Sequence, residues 1–278
     1  MLVSIADLAA RLDDPDQVVV DCRFNLQQPA AGPQLYAEGH IPGAFYADLD
    51  QDLSGPRRPE LGRHPLPEVA SLQRLLSGFG IGPGSRVVVY DEGGGALAAR
   101  LWWLLRWLGH AHVGLLDGGY AAWCAAGQPV SKARPVPRAG SFVSRPGSMP
   151  VLTTADVEAS LGTGKILLLD LRARDRYLGR VEPIDPVAGH VPGALSAPFS
   201  ENLAADGCFR PVEDLRRHYA ALLGGRPATE VACMCGSGVT ACHGIFALEL
   251  AGWPGVGLYA GSWSEWIRAA ERPIAREV

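Results

Sequence analysis

No stretch of the 278-residue chain approaches ~18 uninterrupted apolar residues, so no membrane span is expected. Nor does charge of either sign dominate. Lys and Arg number 25 against 29 Asp and Glu, a net charge of −4 with no long run of one sign. A nucleic-acid surface, which needs a basic patch, is therefore not expected. The first residues lack the basic stretch and following apolar run of a signal peptide, and the expected location is the cytoplasm. Cysteine is sparse as well: Cys22, Cys124, Cys208, Cys233, Cys235 and Cys242 are scattered in a chain too long to need covalent staples. Only the last three are close together, beside His243, and that grouping calls for a chemical explanation.

What the chain does contain is itself, twice, with a period of about 150 residues. Ser4-Ile5-Ala6-Asp7 and Thr153-Thr154-Ala155-Asp156 both fit a helix start in which a hydroxyl caps a free backbone N–H. Each is followed by a buried-strand run ending in an acid, Val18-Val19-Val20-Asp21 and Leu167-Leu168-Leu169-Asp170. Gly39-His40-Ile41-Pro42-Gly43-Ala44 recurs as Gly189-His190-Val191-Pro192-Gly193-Ala194. Val87-Val88-Val89-Tyr90-Asp91 recurs as Val231-Ala232-Cys233-Met234-Cys235, and Gly118-Gly119-Tyr120 as Gly261-Ser262-Trp263.

Short apolar strands alternating with helices predict an α/β fold with a parallel sheet covered by helices on both faces in each repeat. The segment 126–150, rich in Pro, Gly, Ser and Arg, reads as a linker. It separates a first domain at 1–125 from a second at 151–278.

The strand ending at Met234 runs directly into Cys235-Gly236-Ser237-Gly238-Val239-Thr240-Ala241 and then an apolar helix. A cysteine at a strand-to-helix turn faces the free N–H groups and the positive dipole end of the helix. Gly236 and Gly238 let the backbone curl so that these groups converge on one point, a nest that favours a nucleophilic thiolate. A buried structural cysteine is the plainer alternative. Zinc on Cys233, Cys235, Cys242 and His243 fits poorly, since the spacing is not that of a zinc site. In the first repeat the matching position is Asp91, so the nucleophile is missing there. The glycines that follow Asp91 lack G-x-G-x-x-G and a Walker lysine, which argues against a phosphate loop. A Cys-x5-Arg phosphatase is excluded, because Ala241 stands six residues after Cys235 and Val239 six after Cys233.

With the repeat and the Cys235 loop together, the sequence resembles the tandem-rhodanese sulfurtransferases, a family that includes 3-mercaptopyruvate and thiosulfate sulfurtransferases. The resemblance spans essentially the whole chain. It implies two tandem rhodanese-like domains, the first catalytically degenerate. It also implies transfer of a sulfane sulfur from a small anionic donor, through a Cys235 persulfide, to a thiol such as thioredoxin or glutathione, or to cyanide. No metal or organic cofactor is implied.

The loop residues Gly236-Ser237, where thiosulfate enzymes carry Arg-Lys, favour 3-mercaptopyruvate over thiosulfate as donor. By the same resemblance Ser237, His64 and Asp50 form a proton relay, and Gly236, Gly238, Val239 and Thr240 line the substrate loop. Arg172 and Arg176 of the arginine-rich loop bind the donor's anionic group. One departure stands out: Glu182-Pro183-Ile184-Asp185 has an acid where mercaptopyruvate enzymes often place a second arginine, which works against anion binding there. His40 and His190, kept in both repeats, read as structural. A non-catalytic binding module is the remaining alternative, against which the intact Cys235 loop argues.

Overall fold

In the computed structural model, which describes residues 1–136 and 140–276, each repeat builds one five-stranded parallel sheet. The first sheet comprises β1 (Leu2–Val3), β2 (Gln17–Asp21), β3 (Phe45–Tyr46), β4 (Arg86–Tyr90) and β5 (Val113–Leu116), in the order β1-β5-β4-β2-β3. The second comprises β6 (Val151–Leu152), β7 (Leu167–Asp170), β8 (Leu195–Ser196), β9 (Val231–Met234) and β10 (Gly257–Tyr259), in the equivalent order β6-β10-β9-β7-β8. The central strands β4 and β9 are buried from Val87 to Tyr90 and from Val231 to Met234. Such continuous burial requires cover on both faces, the condition under which parallel strands are stable. In β4 a run of β-branched valines meets it.

The helices of the first repeat are α1 (Ile5–Ala9), α2 (Ala31–Glu38), α3 (Val69–Gly78), α4 (Ala98–Trp107) and α5 (Gly119–Ala125). Those of the second are α6 (Thr154–Ser160), α7 (Arg174–Leu178), α8 (Val212–Leu223), α9 (Thr240–Ala251) and α10 (Ser262–Trp266). The Ser4 hydroxyl caps α1 by accepting from Asp7 N–H, and Thr153 and Asp156 form a reciprocal capping box on α6. Helix α9 is buried nearly all round, so its N-terminus is fixed beneath the strand end that carries Cys235.

Two compact units result, and they are not contiguous in sequence. One is Met1–Gly55, Leu66–Ser148 and Ala205–Phe209; the other is Pro56–Pro65, Met149–Ala204 and Arg210–Val278. Of the segment 126–150, the described residues up to 148 run with the first unit: His40 and Ser131 form an antiparallel bridge, and Arg145 N–H donates to Leu108 O at 2.8 Å. Residues 137–139 of that segment, and 277–278 at the end of the second domain, lie outside the described residues. No helix among the described residues is long and apolar enough to cross a membrane.

Each unit carries the same internal strut. Arg23 grips Asp21 with Nε and Nη2 and donates to Gly39 O at 2.6 Å. Arg172 grips Asp170 in the same way and donates to Gly189 O at 2.7 Å. Each guanidinium lies over an aromatic ring, Tyr120 at 4.0 Å and Trp263 at 4.7 Å. The G-H-x-P-G-A histidines repeat as well: His40 stacks on Tyr36 and His190 on Tyr177, each with Nδ1 2.8 Å from that tyrosine's carbonyl.

Candidate active site

Cys235 leaves β9 and enters the turn into α9, buried at 2% exposure. Three backbone-level contacts fix it. Its N–H donates to Ser262 Oγ at 3.1 Å, its carbonyl accepts from Trp263 N–H at 3.0 Å, and Gly236 O accepts from Ser264 N–H at 2.8 Å. Gly238 has φ 76° and approaches the opposite chain so closely that a Cβ there would stand 2.4 Å from Ala260 O; only glycine satisfies both demands.

The first repeat shows what this backbone path is shaped to hold. Tyr120 N–H donates to Asp91 O at 2.9 Å, as Trp263 does to Cys235, and Gly94 has φ 74°, as Gly238 has 76°. The Asp91 carboxylate accepts four backbone N–H groups, from Gly93 (3.0 Å), Gly95 (3.1 Å), Leu97 (2.7 Å) and Ala98 (3.1 Å). Burial pushes its carboxyl up and the four donors pull it back, with a net direction upward. A strand end whose amides converge on one side chain is an anion nest. In the second unit a cysteine occupies that place.

Ser262 was not singled out from the sequence. It has φ 52°, left-handed for a residue with a Cβ, at the position where the first repeat has Gly119 at φ 60°. Holding a non-glycine residue there costs of order 1–3 kcal/mol. The hydroxyl makes that conformation useful, accepting from Cys235 N–H and donating to Tyr259 O at 2.9 Å. The replacement of glycine by serine between repeats was the available signal.

The segment Pro56–Pro65 brings His64 to the same unit as the loop. Gly62 N–H donates to Glu265 Oε2 at 3.2 Å and Arg63 N–H to Ser264 Oγ at 2.9 Å, and His64 Nδ1 shares a 2.7 Å hydrogen bond with Ser237 Oγ. Both His64 and Ser237 are buried. Asp50 belongs to the other unit, where its N–H donates to Asp48 Oδ1 at 2.8 Å.

The two arginines expected to bind the donor have different surroundings. Arg172 is committed to Asp170 and Gly189, with Glu182 at 3.4 Å. Burial works against its charge, but Asp170 foremost, then Glu182 and Cys235, hold it protonated, and the net direction is up. Arg176 is part-exposed, bound through Nε to Glu182 at 3.0 Å and through Nη2 to Asp185 at 3.1 Å. Asp185 is buried and also accepts from Arg63 Nη1 at 2.6 Å. The acid thus sits between two guanidiniums, a pairing invisible in sequence because Arg63 and Asp185 are 122 positions apart.

The remaining cysteines of the cluster are buried. Burial pushes the Cys233 thiol well up, Cys242 Sγ lies 3.4 Å from Gly238 O, and His243 packs edge-on against Phe199 beside Asn202. Among the described residues no group of three or more His, Cys, Asp or Glu is placed to hold a metal ion.

The parallel α/β unit thus occurs twice, with Asp91 at the end of β4 in one copy and Cys235 at the end of β9 in the other. The chain belongs to the rhodanese-like domain family, whose model matches residues 4–126 and 153–269. A Pseudomonas aeruginosa protein named "Probable 3-mercaptopyruvate sulfurtransferase" is 52% identical over 276 residues, covering 99% of this chain and 97% of that protein. Rat thiosulfate sulfurtransferase is 34% identical over 263 residues, covering 92% of this chain and 86% of that one. The crystal structure of SseA from Escherichia coli, from a study of 3-mercaptopyruvate sulfotransferases, matches with a TM-score of 0.81 at 30% identity, covering 95% of this chain and 99% of that one.

Proposed function

We propose that the chain is a sulfurtransferase that carries sulfur as a persulfide on Cys235, with 3-mercaptopyruvate as the preferred donor and thiosulfate as the alternative. The observation that carries this reading is the nest: four amides gather on Asp91 in one repeat, and a thiol stands at the same strand end in the other. Such amides favour a thiolate over a thiol, and the thiolate is the attacking species.

The Cys235 thiolate attacks the donor sulfur and a sulfur–sulfur bond forms. The carbon–sulfur bond of 3-mercaptopyruvate breaks, and its electron pair leaves as the pyruvate enolate, delocalised onto the neighbouring keto group. The enolate takes a proton at carbon and departs as pyruvate. Ser237, paired with His64, is the proton-handling group of this unit, and the first domain's Asp50 is assigned with them on the family resemblance. Arg176 receives the donor carboxylate, for which a planar guanidinium is suited. Arg172 is assigned to the strut instead, because the repeat without a nucleophile keeps the same construction at Arg23. Gly236, Gly238, Val239 and Thr240 shape the loop. The outer persulfide sulfur is then taken by a thiol such as thioredoxin or glutathione, or by cyanide, and the Cys235 thiolate is regenerated. A cytoplasmic location accords with a free reactive thiol.

Thiosulfate is a dianion, and neither Gly236 nor Ser237 adds a cation for it, whereas the proton handling of Ser237 suits a donor whose leaving group needs a proton. Donor titrations at fixed excess thiol test the reading, following pyruvate release for one donor and sulfite release for the other. A higher kcat/KM for 3-mercaptopyruvate is expected. A preference for thiosulfate overturns the donor assignment, and turnover of neither overturns the function.

A further inference from the structure

We propose that Ser264 is a positioning residue for proton transfer: its hydroxyl ties the segment Pro56–Pro65 to α10 and thereby sets the hydrogen bond between His64 and Ser237. This inference rests on the sulfurtransferase reading, in which that pair handles a proton.

Helix α10 holds two backbones at once. On one side it fixes the Cys235 loop. Ser262 Oγ accepts from Cys235 N–H, Trp263 N–H donates to Cys235 O, and Ser264 N–H donates to Gly236 O at 2.8 Å. On the other side it fixes the two residues before His64. Glu265 Oε2 accepts from Gly62 N–H at 3.2 Å, and Ser264 Oγ accepts from Arg63 N–H at 2.9 Å. Ser264 touches both backbones, with its amide on the residue before Ser237 and its hydroxyl on the residue before His64. The path Ser237, Gly236, Ser264, Arg63, His64 therefore closes a ring on the 2.7 Å bond between Ser237 and His64. Ser237, Ser264 and His64 are all buried, so water does not readily replace a link that is lost.

The surroundings are built for this contact. A Cβ on Gly62 would stand 2.6 Å from Gly261 O and 3.2 Å from Ser264 Oγ. The backbone there is outside the left-handed region, so glycine serves to let the segment lie directly against α10. Glu265 is anchored in turn, its Oε1 accepting from Thr154 Oγ1, which shares a 2.9 Å hydrogen bond with the Tyr259 hydroxyl.

The first repeat is an internal control. Ala121 N–H donates to Glu92 O at 2.9 Å, the counterpart of the bond from Ser264 N–H to Gly236 O. The backbone contact is thus common to both repeats, but Ala121 and Ala122 stand where the second repeat has Ser264 and Glu265. The two side chains that hold residues 62 and 63 occur only in the repeat that carries the thiol.

Ser264→Ala copies the first repeat: it keeps the amide on Gly236 and removes the acceptor of Arg63 N–H. The measurement is the single-turnover rate of persulfide formation at saturating 3-mercaptopyruvate and at saturating thiosulfate, with thermal melting recorded for each variant. The rate with 3-mercaptopyruvate is expected to fall roughly ten- to a hundredfold, the loss when a catalytic group is displaced by about an ångström. The rate with thiosulfate, whose leaving group needs no proton, is expected to fall far less. Adding Ser264→Ala to Ser237→Ala is expected to cause no further loss, because the hydroxyl acts through a pair already broken. Gly62→Ala leaves Ser264 intact and displaces the segment from its other side. It is expected to show the same donor-selective loss, and gives a readout should Ser264→Ala fail to fold. A wild-type rate in folded Ser264→Ala, equal losses with the two donors, or a further loss in the Ser237→Ala background overturns the inference alone. A wild type that forms no persulfide with either donor overturns the proposed function and this inference with it.

Discussion

His64 and Ser237, 173 positions apart, share a buried 2.7 Å hydrogen bond in the unit that holds Cys235. The backbone at Cys235 and Gly236 is held separately, by Ser262, Trp263 and Ser264. In the proposed reaction this pair handles the proton. General acid–base groups typically contribute about 10²–10⁴-fold to a rate. Ser237→Ala and His64→Gln are expected to lower kcat for 3-mercaptopyruvate by about 10²-fold or more, and to lower it far less for thiosulfate, whose sulfite leaving group needs no proton. Rapid-quench rates with the two donors check this. An equal loss for both donors would assign the pair a packing role.

Ser262 couples a strained backbone to the reactive residue through one hydroxyl. Ser262→Gly relieves the left-handed conformation but removes the acceptor of Cys235 N–H. Relief of about 1 kcal/mol or more of strain should offset the lost hydrogen bond, so the melting temperature is expected to change little. Ser262→Ala keeps the strain and loses the bond, and is expected to be destabilised by about 1–3 kcal/mol. Both variants are expected to lower the rate of persulfide formation, since both free the Cys235 amide. Denaturant melts and single-turnover rates separate the two effects, and a wild-type rate in either variant would show that the contact does not position the thiol.

Arg176 should act on the donor and not on the acceptor. Arg176→Ala removes its charge from the loop and is expected to raise donor KM roughly ten- to a hundredfold, equivalent to about 1.5–3 kcal/mol. It also leaves Glu182 and Asp185 with fewer partners, so some loss of stability is expected. Initial rates at varied donor and varied acceptor check the split, and parallel changes in both KM values would indicate a structural effect.

Much of this arrangement is legible in the chain. The valine run of β4 and its counterpart in β9 mark central strands, and the two helix caps follow from Ser4 and Thr153. The doubled fold and the lone thiol follow from aligning the chain with itself. Other features are hidden because they depend on long-range packing. Arg63 lies in an irregular segment whose membership of the second unit has no periodic signature, so Asp185 reads as an isolated acid until Arg63 is seen on it. Ser262 resembles an ordinary helix-start serine; its left-handed backbone is signalled only by the glycine at the matching place in the first repeat, Gly119. The family resemblance groups Arg172 with Arg176 in one arginine-rich loop and does not distinguish them. The repeated Asp-x-Arg of Asp21–Arg23 and Asp170–Arg172 does distinguish them, since it pairs this guanidinium with the strand acid in both repeats.

The mass of the Cys235 peptide after one turnover with 3-mercaptopyruvate, in the absence of acceptor, tests the sulfur-carrier role most directly. One added sulfur atom on that peptide is expected, removable by cyanide or thiol, and absent in Cys235→Ser. Sulfur on the Cys233 or Cys242 positions, or an adduct that persists in Cys235→Ser, would contradict it.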